Sequence, residues 1–395
     1  MKKIVIAPDS YKGTFTSVEA AKVMAMAVKE VFPNMQIDIK PMADGGAGTL
    51  EALSFSLPGE WISCQVHNPL GEPILASYYR LFSYSKEEKE KDEEAVLEMA
   101  RTAGLLLIPE DQRNPFRAST FGTGEMILHC LERGFSHISL TLGGSGTNDG
   151  GVGMALALGY KFLDSRGNHL FQDYKDFYVP KLKDLHSISV EKVDSRIEQV
   201  SFQCITDVNN PFIGPQGASA VYGPQKGATP EMVGILDEAL ASLAKVVEKD
   251  LGVSIAHLSG AGAAGGLGGG VAAFLKGRIL PGAPWMAEKI GLPQSVSQAD
   301  LVITGEGKVD GQTLFGKTIY HIAKICEEYS KELLVLAGSL GEGYENLEKN
   351  LPHIHIIDLS KGKSYSLEEL QKIGKDLIVN SLKEELIHRW KGEEL

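Results

Sequence analysis

A chain of 395 residues is longer than one typical hydrophobic core supports, so its length predicts two domains. Apolar residues make up 43% and charged residues 23%, which is typical of a globular protein and excludes a disordered chain. The formal net charge of −12 argues against binding to nucleic acid or to an anionic membrane, because both surfaces attract basic patches.

The sequence also lacks the patterns of an exported or membrane-spanning protein. The apolar run near the N-terminus is short and is ended by Pro8 and Asp9, so we expect no signal peptide. No stretch approaches the length of a membrane span. The cysteines are scattered without a CxxC pair, which predicts buried, reduced thiols and a cytoplasmic protein: Cys64, Cys130, Cys204 and Cys326.

In the N-terminal region, short apolar runs alternate with amphipathic stretches, a pattern that predicts βαβ units and a parallel sheet. Residues 3–8 are predicted to form a buried strand. A helix should follow, capped by Thr16 with Glu19 three residues later. A second strand is expected over 35–42, and after the turn ADGG a further helix near 48–57.

The middle of the chain departs from this order. Residues 60–82 are predicted to form two strands joined by a turn at 68–73, which is a hairpin. The charged run KEEKEKDEE at 86–94 predicts a solvated loop or helix face. Further elements are predicted as strands over 137–144 and 200–208 and an amphipathic helix over 230–250.

The C-terminal region returns to regular alternation. Strands are predicted over 300–304, 333–337 and 354–358, and helices over 317–329 and from Leu367 onward. The two chain ends, residues 1–66 and 290–395, therefore look like halves of one α/β sheet. Residues 67–289 are expected to form a mixed insertion between them.

Candidate chemistry lies where predicted strands end, because backbone N–H groups and polar side chains converge at that edge of a parallel sheet. After the first strand, APDSYKG presents Asp9, Ser10 and Lys12. After the second strand, PMADGGAGT presents Asp44. Either stretch alone is compatible with an ordinary turn, but two neighbouring strands would offer an aspartate at the same edge.

The densest glycine cluster, LGGSGTNDGGVG, follows the strand predicted to begin at 137. Gly143 and Gly144 permit close approach of the backbone, while Ser145, Asn148 and Asp149 supply donors and acceptors. We expect a phosphate or carboxylate to bind against the N-terminus of the following helix.

Two further stretches differ in what they favour. Asp207 and Asn209 close the strand before NPFIGPQG, and a carboxylate with an amide is a suitable ligand set for Mg²⁺. Gly260, Gly262 and Gly265 match GxGxxG, but no Asp or Glu follows within the next twenty residues. A dinucleotide site needs that acidic residue and a preceding strand, so a helix that packs closely through its glycines is favoured.

The last stretch, ITGEGKVDGQTLFGKT, satisfies GxxxxGK[ST] over residues 311–318. A P-loop starts directly after its strand, whereas here Glu306, Lys308 and Asp310 intervene. The match therefore does not predict a P-loop fold. Lys317 at a helix start, together with the two acidic residues, still suits phosphate and metal.

Taken together, these motifs resemble the glycerate kinase family, and the resemblance runs from IVIAPDSYKG to LVLAGSLG. It implies a Rossmann-like parallel-sheet domain built from residues 1–66 and 290–395, with an inserted mixed α/β domain of residues 67–289. It also implies ATP and Mg²⁺ as cofactors and D-glycerate as acceptor, phosphorylated in many members at the 2-hydroxyl. Family members often have Glu at the position of Ala47 and Ala at that of Gly146.

Phosphoryl transfer requires mainly the positioning of two anions, and this requirement suggests the roles of the site residues. The catalytic residues are expected to be Asp9, Lys12, Asp44 and Asp207. Nucleotide contacts are expected from Gly143, Gly144, Ser145, Asn148, Glu306 and Lys317. Substrate contacts are expected from Ser10, Lys308, Asn209 and Asp149, and Mg²⁺ ligands from Asp207 and Asp310.

Within these sets, several alternatives stay open. Either Asp9 or Asp44 accepts the hydroxyl proton, and either Lys12 or Lys308 pairs with the glycerate carboxylate. Phosphorylation at the 3-hydroxyl, an NAD-dependent hydroxy-acid oxidoreductase and a non-catalytic sugar-acid-binding protein are the alternative functions. The sequence is compatible with a monomer or a homodimer.

Overall fold

The computed structural model of the protein describes residues 2–82, 93–314, 318–351 and 353–390. The chain divides into two compact units. Unit 1 consists of Met1–Asp44, Glu51–Leu57 and Gly282–Leu395, and unit 2 of Gly45–Leu50 and Pro58–Pro281. The division lies ahead of the expected seams at 67 and 290, because the strand that ends at His67 pairs with a strand of unit 2.

The elements within the described residues alternate along most of the chain. The strands are β1 (Lys3–Ile6), β2 (Gln36–Ile39), β3 (Gly59–His67), β4 (Pro73–Phe82), β5 (Glu93–Glu98), β6 (His137–Thr141), β7 (Lys161–Leu163), β8 (Ser187–Ser189), β9 (Ser201–Ile205), β10 (Arg278–Leu280), β11 (Leu301–Glu306), β12 (Glu332–Ala337) and β13 (Ile354–Asp358).

The α-helices are α1 (Ser17–Val31), α2 (Thr49–Ser56), α3 (Ala100–Ala103), α4 (Phe121–Glu132), α5 (Val152–Ala157), α6 (Ala218–Tyr222), α7 (Pro230–Leu251), α8 (Ala263–Phe274), α9 (Gly282–Lys289), α10 (Leu292–Ser297), α11 (Thr318–Glu328), α12 (Glu345–Asn350) and α13 (Leu367–Trp390). Short 3₁₀ turns cover Leu105–Leu107, Glu110–Gln112, Tyr174–Asp176, Val179–Asp184, Ser195–Gln199, Pro224–Lys226 and Gly311–Leu314.

Unit 1 is built on a five-stranded parallel sheet in the order β13-β12-β11-β1-β2. Numbered within the unit, this is the order 2-1-3-4-5 of flavodoxin-like doubly wound folds. The strand order reverses between β1 and β11, and ligands of such sheets bind beyond the carboxyl ends of the strands at that point. The predicted fold class is confirmed: strands from both chain ends form one parallel sheet.

Burial in unit 1 explains why its strands are apolar runs. Ile4, Val5 and Ile6 of β1 are fully buried, as expected for a parallel strand with both faces covered. Helices α1 and α13 pack together with β1, β11 and β12 in one hydrophobic cluster. The predicted cap of α1 is confirmed, because Thr16 and Glu19 form a reciprocal capping box.

Unit 2 contains a six-stranded mixed sheet in the order β10-β9-β6-β5-β4-β3. Strands β3, β4 and β5 pair antiparallel, and the remaining pairs are parallel. The predicted hairpin is confirmed as β3 and β4. Its turn forms because the Asn68 side-chain oxygen accepts hydrogen bonds from the backbone N–H groups of Leu70 and Glu72.

The end of the charged run differs from the solvated loop or helix face that the sequence predicts. Residues 83–92 lie outside the described residues, whereas Glu93 and Glu94 begin β5. Glu94 is 8% exposed and accepts a hydrogen bond from the Ser139 hydroxyl, so the prediction is wrong for this residue. A buried carboxylate is tolerated here because it is hydrogen-bonded.

Two other expectations concern packing. All four cysteines are free and buried, as predicted. The GxGxxG stretch is confirmed as a packing feature, since residues 252–262 contain no strand and a Cβ on Gly265 would clash with the Thr147 carbonyl oxygen. Among the helices of the described residues, none combines the length and apolarity needed to span a bilayer.

Candidate functional site

The carboxyl end of β1 in unit 1 presents a firmly held carboxylate. The Asp9 backbone N–H donates to the Gly305 carbonyl at 2.9 Å, which ties the turn to β11. One carboxylate oxygen of Asp9 accepts from the Ser10 backbone N–H at 2.6 Å. The other accepts from the hydroxyl of Thr318, the first residue of α11, also at 2.6 Å. Both oxygens are therefore oriented by neighbouring donors.

The electrostatic surroundings make Asp9 a weaker acid than usual. Burial raises the pKa of Asp9 to about 6, and the negative charge of Asp44 raises it as well, while the hydrogen bond from Thr318 lowers it. Asp44 reaches this edge because the Met42 N–H donates to the Pro8 carbonyl at 2.9 Å. The two aspartates predicted to share one sheet edge are thus brought together.

The segment after β11 supplies the other unit 1 candidates. The Thr313 hydroxyl donates to Glu306 at 3.2 Å, and Lys308 forms an ion pair with Asp310 at 3.1 Å. The Lys308 side chain is 62% exposed, whereas that of Asp310 is 15% exposed. These residues lie on the connection that leads from β11 toward α11.

The described part of the GxxxxGK[ST] match does not follow its strand directly, as a P-loop would. Strand β11 ends at Glu306, a 3₁₀ turn occupies Gly311–Leu314, and α11 begins only at Thr318. Lys317 lies outside the described residues, so its nucleotide contact stays a prediction. The hydroxyl residue of the motif, Thr318, does have a defined partner in Asp9. We did not predict from the sequence that Thr318 orients Asp9. The signal that could have identified Thr318 is its position as the Ser/Thr residue of the motif.

In unit 2, a glycine loop packs against the turn that follows β6. A Cβ on Gly143 would clash with the Gly46 Cα, and a Cβ on Gly45 would lie 2.8 Å from the Ile205 carbonyl oxygen. The Gly48 N–H donates to the Glu98 carboxylate at 2.7 Å. Glycine is needed at these contacts because backbone meets backbone.

We predict that Gly143→Ala lowers the free energy of unfolding by about 1–3 kcal/mol, because the added methyl group forces two main-chain segments apart. Gly234→Ala is the control: Gly234 lies in α7, no atom lies within 4 Å of the position that an added methyl group would take, and we expect a gain of about 0.5–1 kcal/mol. Urea denaturation of both variants measures the difference. Equal stability of Gly143→Ala and the parent protein contradicts the packing argument.

The 143–146 turn offers three of its four backbone N–H groups as donors. The Gly146 N–H already donates to the Ala103 carbonyl at 2.9 Å, and the Gly144 carbonyl accepts from Leu105 at 2.8 Å. Within the described residues, the N–H groups of Gly143, Gly144 and Ser145 have no backbone acceptor. Three adjacent N–H groups in a turn with a left-handed residue (φ 69° at Gly144) can bind an anion.

Asn148 and Asp149 are buried, whereas a residue that contacts a ligand must be accessible to it. Both are 0% exposed. The Asn148 side-chain amide donates to the Ser219 hydroxyl at 2.9 Å. Asp149 accepts four hydrogen bonds, two from Thr120 and one each from the N–H groups of Gly151 and Gly153.

These contacts correct the expected roles of both residues. Burial raises the pKa of Asp149, and its four donors lower it, so the carboxylate is a fully used structural acceptor. Asn148 holds α6 through Ser219, although its side-chain oxygen is buried without a partner among the described residues. Direct substrate contact by Asp149 and nucleotide contact by Asn148 are therefore not supported.

The segment after β9 presents the predicted metal ligands of unit 2. Asp207 is half-buried and Asn209 is exposed. The Asn209 side-chain oxygen accepts from the Ser259 hydroxyl at 3.5 Å, and that of Asn210 accepts from the Tyr222 hydroxyl at 2.7 Å. Asp207 belongs to unit 2 and Asp310 to unit 1. No group of three or more His, Cys, Asp or Glu side chains suited to a metal ion occurs in the described part of the chain.

Comparisons with known proteins agree on one family. The model of the glycerate kinase family matches residues 4–385. A glycerate kinase of Halalkalibacterium halodurans is 43% identical over 345 residues, which cover 87% of each chain. A glycerate 2-kinase of Escherichia coli is 38% identical over 356 residues, covering 90% of this chain and 89% of its own. A crystal structure from Salmonella typhimurium LT2, assigned as glycerate kinase 2, has a TM-score of 0.82 and 35% identity, with 100% of both chains covered.

Proposed function

The chain belongs to the glycerate kinase family, and from this membership we propose that it transfers the γ-phosphate of ATP to the 2-hydroxyl of D-glycerate. It is a kinase that phosphorylates glycerate. The choice of the 2-hydroxyl rests on the Escherichia coli relative named glycerate 2-kinase, which is 38% identical.

The observation that carries the proposal is the carboxylate of Asp9. It lies beyond the carboxyl end of β1, at the point where the strand order of unit 1 reverses. A general base works best with a pKa near the working pH, and burial raises the pKa of Asp9 to about 6. We assign Asp9 as the base that orients the glycerate hydroxyl and accepts its proton.

The remaining unit 1 residues suit the anionic substrate. Lys12 is exposed and lies three residues after Asp9, so we assign its amine to the glycerate carboxylate. The Ser10 hydroxyl is proposed as a further contact to the substrate. Lys308 is already paired with Asp310, which makes it the second choice for the carboxylate. Asp44 acts on Asp9 through its charge rather than as the base itself.

The acid limb of the pH profile should report on the Asp9 carboxylate. Because the base must be deprotonated and burial raises the pKa of Asp9 to about 6, kcat/KM should fall as the pH drops through about 6. Asp44→Asn removes a negative charge that raises this pKa, so the limb should move to lower pH. A limb that does not move in Asp44→Asn contradicts the coupling of the two carboxylates.

The nucleotide fits the open amides of the 143–145 turn in unit 2. ATP supplies the phosphoryl group and its own negative charge, and backbone N–H groups are suitable partners for phosphate oxygens. We propose that Gly143, Gly144 and Ser145 donate to these oxygens. The motif positions Glu306 and Lys317 stay proposed contacts to the same ligand.

The donor set of Asp207 and Asn209 fits Mg²⁺, which prefers oxygen ligands and usually keeps several waters. Mg²⁺ bound to a nucleotide takes one or two carboxylates from the protein and its remaining ligands from phosphate and water. Two side-chain oxygens from the Asp207–Asn209 segment are therefore enough, and Asp310 stays a proposed further ligand.

A coupled assay of ATP consumption with D-glycerate, L-glycerate and tartronate tests the proposal, followed by phosphorus NMR of the product. We expect consumption with D-glycerate and formation of 2-phosphoglycerate. Formation of 3-phosphoglycerate contradicts the proposed phosphorylation at the 2-hydroxyl but is still consistent with a glycerate kinase. Absence of glycerate-dependent ATP consumption overturns the function, and glycerate-dependent reduction of NAD identifies an oxidoreductase instead.

A further inference from the structure

Three successive residues of the glycine-rich segment are each held by a different part of unit 2. The Thr147 carbonyl accepts a hydrogen bond from the Lys226 amine at 2.6 Å. Asn148 donates to Ser219 in α6, and Asp149 accepts from Thr120 before α4. The segment from 147 to 149 is therefore held by one main-chain and two side-chain contacts.

Lys226 is the unusual member of this set, because its side chain is 1% exposed. Burying a charged amine is costly, and burial lowers the pKa of Lys226 to about 7, while the charge of Asp149 raises it. A carbonyl oxygen can be satisfied by a neutral N–H group at lower cost. A requirement for one carbonyl acceptor alone thus does not explain a lysine at this position.

The backbone around Lys226 is built to hold the amine in place. Lys226 ends the 3₁₀ turn Pro224–Lys226, and its N–H donates to the Gly223 carbonyl at 3.0 Å. Gly227 follows with φ 91°, and a Cβ there would lie 2.6 Å from the Arg113 carbonyl oxygen. Only glycine fits both the left-handed backbone and this close approach.

The contact of Lys226 completes the support of the anion-binding turn. Before the turn, the Leu142 N–H donates to the Ile205 carbonyl at 2.9 Å, and after it the Gly146 N–H donates to the Ala103 carbonyl at 2.9 Å. Thr147 is the next residue, and its carbonyl accepts the hydrogen bond from the Lys226 amine. These contacts restrict the movement of the main chain on either side of residues 143–145.

We propose that Lys226 is a positioning residue for the nucleotide, which holds the Thr147 carbonyl and thereby keeps the N–H groups of Gly143, Gly144 and Ser145 aimed at phosphate oxygens. In its protonated form the Lys226 amine also favours an anion at that turn. This inference rests on the proposed nucleotide role of the turn. It does not require Lys226 to touch either substrate.

The test compares Lys226→Met with Lys181→Met. Lys181 is a matched control, because its amine also donates to main-chain carbonyls of unit 2, those of Leu170 and Asp176, each at 3.1 Å. We expect Lys226→Met to raise the KM for ATP by about tenfold or more, with the KM for glycerate and kcat changed by less than about threefold. Lys181→Met should leave all three constants unchanged.

The same comparison shows which outcomes overturn the inference. An unchanged KM for ATP in Lys226→Met overturns it, and so does an equal rise of both KM values, which indicates general loss of structure. If Lys226→Met does not fold, Lys226→Gln replaces it, with the same expected rise and the same contradicting result. Equilibrium dialysis with ATP keeps the two proposals apart, because a parent protein that binds ATP but ignores glycerate contradicts only the proposed function.

Discussion

Asp9→Asn is expected to lower kcat by about 10²–10⁴-fold, because an amide cannot accept the proton of the glycerate hydroxyl. The change is nearly isosteric, and the hydrogen bonds from Ser10 and Thr318 involve atoms that Asn partly reproduces. The KM for ATP should change little. Steady-state kinetics with D-glycerate, supported by circular dichroism to check the fold, measures the effect.

Asp38→Asn is the matched control for this variant. Asp38 lies on the neighbouring strand β2 of the same sheet, and its carboxylate pairs with Lys3, the first residue of β1, at 3.2 Å. Its replacement should leave kcat unchanged. Activity of Asp9→Asn within about threefold of the parent protein means that another group, with Asp44 as the first candidate, is the base.

Asp207→Asn is expected to lower turnover by about 10²-fold or more with the fold intact, because the amide removes the negative charge proposed to face Mg²⁺. The Mg²⁺ concentration for half-maximal activity should rise in parallel. A titration with Mg²⁺ at saturating ATP separates this loss of metal binding from a loss of the chemical step.

Asp111→Asn serves as the control for the second variant, since Asp111 is an exposed aspartate in the 3₁₀ turn Glu110–Gln112 of the same unit. It should behave like the parent protein. Near-normal turnover of Asp207→Asn at low Mg²⁺ removes Asp207 from the metal site and leaves Asn209 and Asp310 as the proposed ligands.

Much of the local structure could be predicted from the sequence, because the determining contacts are short in range. The capping box of Thr16 and Glu19 and the hairpin of β3 and β4 both depend on residues a few positions apart. Strand β5 was missed because KEEKEKDEE looks solvated in isolation. Glu94, the last residue of this charged run, is buried and bonded to Ser139, which lies 45 residues away in the sequence.

The roles of the site residues could likewise be predicted only where they depend on regular features of the fold. Asp9 and Asp44 were predicted to meet, because the carboxyl ends of parallel strands share an edge. Asp149 carries the same side chain as Asp9, yet its carboxylate accepts four hydrogen bonds from donors of its own unit. Two of these donors belong to Thr120, which lies near Asp149 only in the folded structure. Lys226 was unpredictable for a related reason, since lysines are almost never fully buried.

The pairing of β1 with β11 has a consequence for biosynthesis. Strand β11, which pairs with β1, is translated about 300 residues after it, which takes roughly 15–60 s at elongation rates of about 5–20 residues per second. The residues of β3 through β10 are complete before that, so the second sheet can assemble while β1 still exposes an unpaired apolar edge. Until β11 is translated, that edge of β1 lacks its partner strand, so premature termination before β11 should yield aggregation-prone fragments.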